Sequence, residues 1–133
     1  MDFENEAIYH LYNKMGVFSF DFDGTLNNSY YFNDKFFKDL SPKQEMVDLL
    51  IKLKESGYIV YIVTSRRIDR VSAVHDFVTR YELEVDGVLT TNEELKADTL
   101  LNLGVQVHFD DSMEEVQNNL MKGIKTYHVK PKI

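Results

Sequence analysis

The sequence predicts an α/β fold in which a parallel sheet of about five strands is covered by helices on both faces. Two observations carry this. Apolar, strand-like runs alternate with amphipathic, helix-like runs in the order βαβαβαβαβ, which builds parallel sheets with right-handed crossovers. One of those runs, YIVYIVT at Tyr58–Thr64, is apolar almost throughout, as a central strand buried on both faces requires.

The elements follow in chain order. GVFSFD, Gly16–Asp21, reads as the first strand. SPKQEMVDLLIKLKESG reads as a helix with Ser41 as N-cap, Pro42 at the first helical position and Gly57 as its stop. Its Met46, Leu49, Leu50 and Leu53 recur at helical spacing. After the central strand, a helix is expected around Ile68–Tyr81 and a short strand near Val85–Leu89. Asn92, with Glu93 and Glu94, starts the next helix, which ends before Gly104. Val105–Phe109 is the following strand. Ser112 and Glu115 form a capping-box pattern for a helix ending near Gly123, and Lys125–Val129 closes the series. Ahead of all this, Ala7, Ile8, Leu11, Tyr12 and Met15 form an apolar stripe at helical spacing. Residues 1–15 are therefore expected to be a helix or arm, docked on the core or on a second subunit of a homo-oligomer.

Composition bounds the function. A chain of 133 residues suits a single domain over 1–133 with one core. Hydrophobic residues at 44% and charged residues at 28% are those of an ordinary globular protein. No apolar run approaches the roughly 20 residues that span a bilayer. MDFENEAIYH carries no signal-peptide apolar region, so a cytoplasmic protein with no membrane partner is expected. The absence of cysteine excludes disulfides and thiolate metal sites. A net charge of −7 disfavours a long nucleic acid as partner.

In a parallel sheet of this kind the ligand sits beyond the carboxyl ends of the strands. That rule brings Asp21, Thr64 and Asp110 to one edge, with Asp23 and Asp111 beside them. Two carboxylates about 4 Å apart repel by about 4 kcal/mol at an effective dielectric of 20, so several of them need a counter-charge. With only oxygen ligands available, Mg²⁺ fits best. Lys96 adds a positive charge and Thr64 a hydroxyl donor. An acidic nucleophile, a second carboxyl, Mg²⁺ and a lysine together suit phosphoryl transfer through an aspartyl-phosphate. Each residue also has a plainer reading. Asp-x-Asp-Gly makes an ordinary turn, and a lone Lys96 would be a solvated helix residue. Ser65 competes with Thr64 for the phosphate. Arg66 and Arg67 either reach substrate or solvate a helix start, and Asn27 and Asn28 either touch substrate or only shape a loop. His108, in a buried strand, reads as a satisfied core histidine rather than a ligand.

Taken in this order, FDFDGT, YIVTSR, NEELKADTL and VHFDDS resemble the four motifs of the haloacid dehalogenase-like superfamily, in its phosphatase branch, and the resemblance runs from Val17 to Val129. It implies a three-layer Rossmann-like domain and a Mg²⁺-dependent phosphomonoester hydrolase. Asp21 would be nucleophile and metal ligand. Asp23 would protonate the leaving oxygen and then activate water, its backbone carbonyl also binding Mg²⁺. Thr64 and Lys96 would hold the phosphoryl oxygens. Asp111 would be the direct metal ligand and Asp110 its support. Backbone N–H groups after Asp21, at Phe22, Gly24 and Thr25, and beside Thr64, at Ser65 and Arg66, would stabilise phosphoryl charge. Gly24 marks the turn that carries one carboxylate to phosphorus and the other to the leaving group.

Sixteen residues separate Thr25 from Pro42 and five separate Thr90 from Lys96, so neither gap can hold a cap domain. The resemblance is thus to capless members, whose open sites take a phosphorylated small molecule or an exposed phosphate end: a nucleotide, a nucleic-acid end, a phosphoprotein or a sugar phosphate. Tyr30, Tyr31, Phe32, Phe36 and Phe37 suggest an aromatic flap beside the site. Two other readings share the residues. A phospho-receiver signalling domain uses similar groups, but with its acidic pair first in the chain and its lysine last. A non-catalytic protein binding phosphate or Mg²⁺ would keep the fold without turnover.

Overall fold

In the computed structural model, which describes residues 16–131, the apolar runs pair as the strand pattern requires. The expected N-terminal helix lies outside the described residues. Strands β1 (Val17–Phe20), β4 (Ile59–Thr64), β5 (Gly87–Thr90), β6 (Val107–Asp110) and β7 (Lys125–His128) form a five-stranded sheet in the order β5-β4-β1-β6-β7. Every pairing in it is parallel. Helices α1 (Gln44–Glu55), α2 (Ser72–Arg80), α3 (Ala97–Leu103) and α4 (Met113–Met121) supply the crossovers. The chain builds outward from β1 through β4 to β5, then returns to place β6 and β7 on the other side. The two directions part between β1 and β6, the switch point where such sheets leave a crevice for ligand.

Strand alternation divides the core into two layers. On one face, Val60 and Ile62 of β4 pack with Val47, Leu50 and Leu53 of α1 and Val74 and Phe77 of α2. On the other, Val63 packs with Ala97 and Leu100 of α3 and with Ile124. This is the three-layer, Rossmann-like α/β arrangement expected from the sequence. Fully buried residues such as Leu50 and Leu100 contribute about 1.5–3 kcal/mol each.

Four expectations need correction. Ser41 is not the cap of α1: its hydroxyl donates to Asp39 (2.6 Å) and accepts from Asn28 (3.0 Å), Pro42 bridges to Asn27, and the helix starts at Gln44 after Lys43. The stretch expected as one helix around Ile68–Tyr81 is a 3-10 turn, Ile68–Arg70, followed by α2. No helix begins at Asn92. Asn92 and Glu93 take left-handed φ values of 51° and 72°, the Asn92 side chain accepts from the Ile68 N–H (3.1 Å), and α3 starts only at Ala97. Finally, the aromatic stretch is a β-hairpin in its own right, β2 (Tyr30–Phe32) against β3 (Lys35–Phe37), outside the main sheet. Asn33 and Asp34 both have positive φ, which is the two-residue turn chemistry that closes a tight hairpin.

Candidate active site

The site is built on the carboxyl ends of β1 and β6. Asp21 follows β1, and its N–H still donates to Phe109 (2.9 Å), so the β1–β6 pairing holds its backbone in place. Asp110 ends β6 and Asp111 follows it. Lys96, at the N-cap of α3, is almost fully buried, and its Nζ donates to Asp21 Oδ1 (2.8 Å) and to Asp110 Oδ2 (2.6 Å).

Burial alone would strip the proton from Lys96, but the carboxylates of Asp21 and Asp110 outweigh it and hold the ammonium above its ordinary pKa. Burial would likewise protonate Asp110, but Lys96 and His108 pull it down to about 2. At Asp111 the pull of Lys96 is outweighed. Burial, together with the Asp21 charge, pushes it up to about 9. Asp21 is raised by burial and by Asp110.

The donor set fits a hard divalent cation. Asp21, Asp110 and Asp111 each offer a carboxylate oxygen, all within 4.8 Å of one another, a spacing that ligand distances of about 2.0–2.6 Å can bridge. Three carboxylates against one ammonium leave two negative charges uncompensated when all are ionised, and the raised pKa values of Asp111 and Asp21 reflect that excess. There is no sulfur ligand.

Asp23 departs from the four-carboxylate cluster expected from the sequence. Its carboxylate accepts from Arg66 Nε (2.8 Å) and Nη2 (3.0 Å) and from Asn27 Nδ2 (3.2 Å). The turn after Asp21 sends this side chain to Arg66, whose guanidinium also lies over the Phe22 ring (5.3 Å). Phe22 is buried, and its carbonyl accepts from the N–H groups of Thr25, Leu26 and Asn27, which closes the turn. Thr25 is buried, with its hydroxyl donating to Asp21 Oδ2 (3.3 Å). Gly24 has φ +79°, and a Cβ there would lie 2.1 Å from Asp111 Oδ2, so the position admits only glycine. Thr64 is buried and accepts from the Arg66 N–H (3.2 Å). Its neighbours Ser65 and Arg66 line the cleft. That cleft, about 1180 Å³, takes in Asp21, Asp23, Lys96, Asp110 and Asp111, and is rimmed by Tyr31 and Phe36 of the hairpin.

Several contributors are not among the expected site residues. Asn27 is fully buried, and its Oδ1 accepts from the N–H groups of Gly24 (2.9 Å) and Ser29 (3.0 Å), fixing the turn after Asp21. Lys43 is buried and donates to the carbonyls of Gly24 (2.8 Å) and Lys130 (2.9 Å). A lysine at a helix N-terminus opposes the helix dipole, and that mismatch was the available signal. The Ser112–Glu115 pattern is only half a capping box. Ser112 Oγ accepts from Glu115 N–H (3.4 Å), but the Glu115 carboxylate accepts from Lys96 N–H (3.2 Å) and so braces the Lys96 backbone.

No protein-family model and no curated protein matches the sequence. Among solved structures, a chain of the Pnkp1/Rnl/Hen1 complex superposes with a TM-score of 0.69 at 17% identity, over 91% of this chain and 48% of that one. A chain of the Pnkp1/Rnl/Hen1 RNA repair complex superposes with a TM-score of 0.68 at 20% identity, over 89% of this chain and 43% of that one. The shared property is the fold. This chain spans less than half the length of either.

Proposed function

We propose that the protein is a haloacid dehalogenase-like phosphatase, a Mg²⁺-dependent phosphomonoester hydrolase with Asp21 as nucleophile. The observation that carries this reading is the convergence of Asp21, Asp110 and Asp111 within 4.8 Å, with Lys96 bridging Asp21 and Asp110 in an open cleft. Asp21, Asp111 and the backbone carbonyl of Asp23 would hold the metal, with Asp110 in support. The chemistry that bound Mg²⁺ supplies is neutralisation of charge on the phosphoryl group.

The chain's own residues do the rest. Lys96 favours the ionised form of Asp21 and aims its carboxylate. An Asp21 oxygen bonds to phosphorus while the bond to the leaving oxygen breaks, and Asp23 delivers a proton to that oxygen. A water then bonds to phosphorus, giving its proton back to Asp23, and the bond to Asp21 breaks to release inorganic phosphate. Arg66 holds both Asp23 oxygens, and a phosphate dianion entering the cleft would compete for that guanidinium and release Asp23 toward the leaving oxygen.

On substrate, the cleft has room beyond one phosphate, and aromatic rings at its rim suit a base or sugar ring. Chains of this fold sit in an RNA repair complex, which makes a phosphate on an RNA end the first substrate to assay, ahead of nucleotides and sugar phosphates. The test is turnover of an aryl phosphate and of a phosphorylated oligoribonucleotide. Mg²⁺-dependent release of phosphate, abolished by chelator and by Asp21→Asn, is the expected result. Undiminished turnover in Asp21→Asn would remove the mechanism, and no turnover on any phosphomonoester would leave a non-catalytic binding protein.

A further inference from the structure

Beneath the site lies a buried polar pair that the reaction does not use. Ser19 on β1 and His108 on β6 stand directly opposite each other in the parallel register, and both are fully buried. Asp21 and Asp110 lie two residues further along the same two chains, on the same side of the sheet. The four side chains and Lys96 make one continuous chain. Ser19 Oγ is 2.6 Å from His108 Nδ1, and His108 Nε2 is 2.8 Å from Asp110 Oδ2. Asp110 Oδ2 is 2.6 Å from Lys96 Nζ, which is 2.8 Å from Asp21 Oδ1.

A carboxylate only accepts, so His108 Nε2 carries a hydrogen toward Asp110, while the Ser19 hydroxyl, which can donate or accept, partners Nδ1. An apolar residue would fill a core position at 108 without desolvating two ring nitrogens, so a buried imidazole there needs both of its partners. Neither Ser19 nor His108 lines the cleft. Among the described residues their link to the cleft runs through Asp110, whose Oδ1 is held separately by the Ser112 N–H (3.0 Å).

We propose that Ser19 and His108 are positioning residues that lock the Asp110 carboxylate, and through it the Lys96 ammonium, against the nucleophile Asp21. Without the Nε2–H, the Asp110 carboxylate loses one of the three contacts that fix it among the described residues, and only Lys96 still holds Oδ2. Lys96 then loses its fixed bridge between the two strands. The kinetic arm of the test rests on the phosphatase reading; a second arm does not.

The experiment compares Ser19→Ala, His108→Met and His108→Gln by thermal melting, by steady-state kinetics on an aryl phosphate with Mg²⁺, and by the ¹H–¹⁵N signal of the buried Lys96 ammonium. His108→Met should lower kcat by about 10- to 100-fold, the usual loss for an outer-shell partner, with KM within about twofold. His108→Gln, whose amide N–H can replace the imidazole Nε2–H, should recover most of the rate. Ser19→Ala should lose less than His108→Met. The Lys96 signal should shift or broaden in the Met and Ala variants and return in the Gln variant. A folded His108→Met with normal kcat and an unchanged Lys96 signal overturns the proposal, as does equal impairment by Met and Gln. If His108→Met does not fold, Ser19→Ala decides by the same two readouts. If the wild-type protein turns over no phosphomonoester, the phosphatase reading fails and the Lys96 signal alone decides whether the pair positions it.

Discussion

Gly24 shows how tightly the site is drawn at single residues. Its φ of +79° and the approach of Asp111 Oδ2 leave no space for a Cβ, while Asn27 and Lys43 hold its N–H and carbonyl. Gly24→Ala is therefore expected to destabilise the fold by about 1–3 kcal/mol through backbone strain and to weaken Mg²⁺ binding by displacing Asp111. Denaturant melts and a Mg²⁺ titration check this, and an unchanged affinity would detach Asp111 from the metal. At this scale the sequence was most legible where a residue ends a strand. Asp21 and Asp110 converge because parallel strands share a carboxyl edge, and Lys96 reaches both of them. Asp23 was legible as part of the motif, but its partner was not. A side chain beyond a turn is no longer aimed by strand alternation, and Arg66 captures it.

At the scale of elements, the hairpin is the clearest departure from the expected order. Its two strands are only three residues each, and consecutive aromatics hide any period-two pattern. The turn at Asn33–Asp34 was its one legible sign. Its faces are unequal. Tyr31 and Phe36 pair across the strands (5.1 Å) and rim the cleft, whereas Tyr30 and Phe37 stack on each other (4.9 Å) away from its lining. Tyr31→Ala should raise KM for a phosphorylated oligoribonucleotide about tenfold, a share of the energy of stacking one base, and leave an alkyl phosphate unaffected. Equal losses on both substrates would make Tyr31 a support of the hairpin instead. The helix expected from Asn92 failed for a related reason. Acidic residues there look like a first turn, but two left-handed residues delay the helix so that Lys96 arrives at its N-cap, over the carboxylates.

For the molecule as a whole, the cluster couples folding to protons and, on the proposed function, to metal. Burial raises Asp111 to about 9 and Glu115 to about 7, both above their ordinary values. Between the ordinary range and these folded values, the native chain binds more protons than the unfolded one, so stability falls as pH rises. Asp110 works in the opposite sense, but its contribution is lost only as pH falls towards about 2. Mg²⁺ bound at this cluster would take the ionised carboxylates and so displace a proton from Asp111. Without Mg²⁺, Tm should drop between pH 5 and pH 9, and the gain in Tm on adding Mg²⁺ should widen over the same window. A Mg²⁺ effect that shrinks with rising pH would contradict this cluster as the metal site. None of the described helices is long and apolar enough to cross a membrane. The most direct test of the central claim is a search for the covalent intermediate. In Asp23→Asn, hydrolysis of the phospho-enzyme should be slowed, and acid quenching with substrate and Mg²⁺ followed by peptide mass mapping should find one phosphoryl group on Asp21. Release of phosphate with no adduct on Asp21, or with the adduct on another residue, would contradict the account.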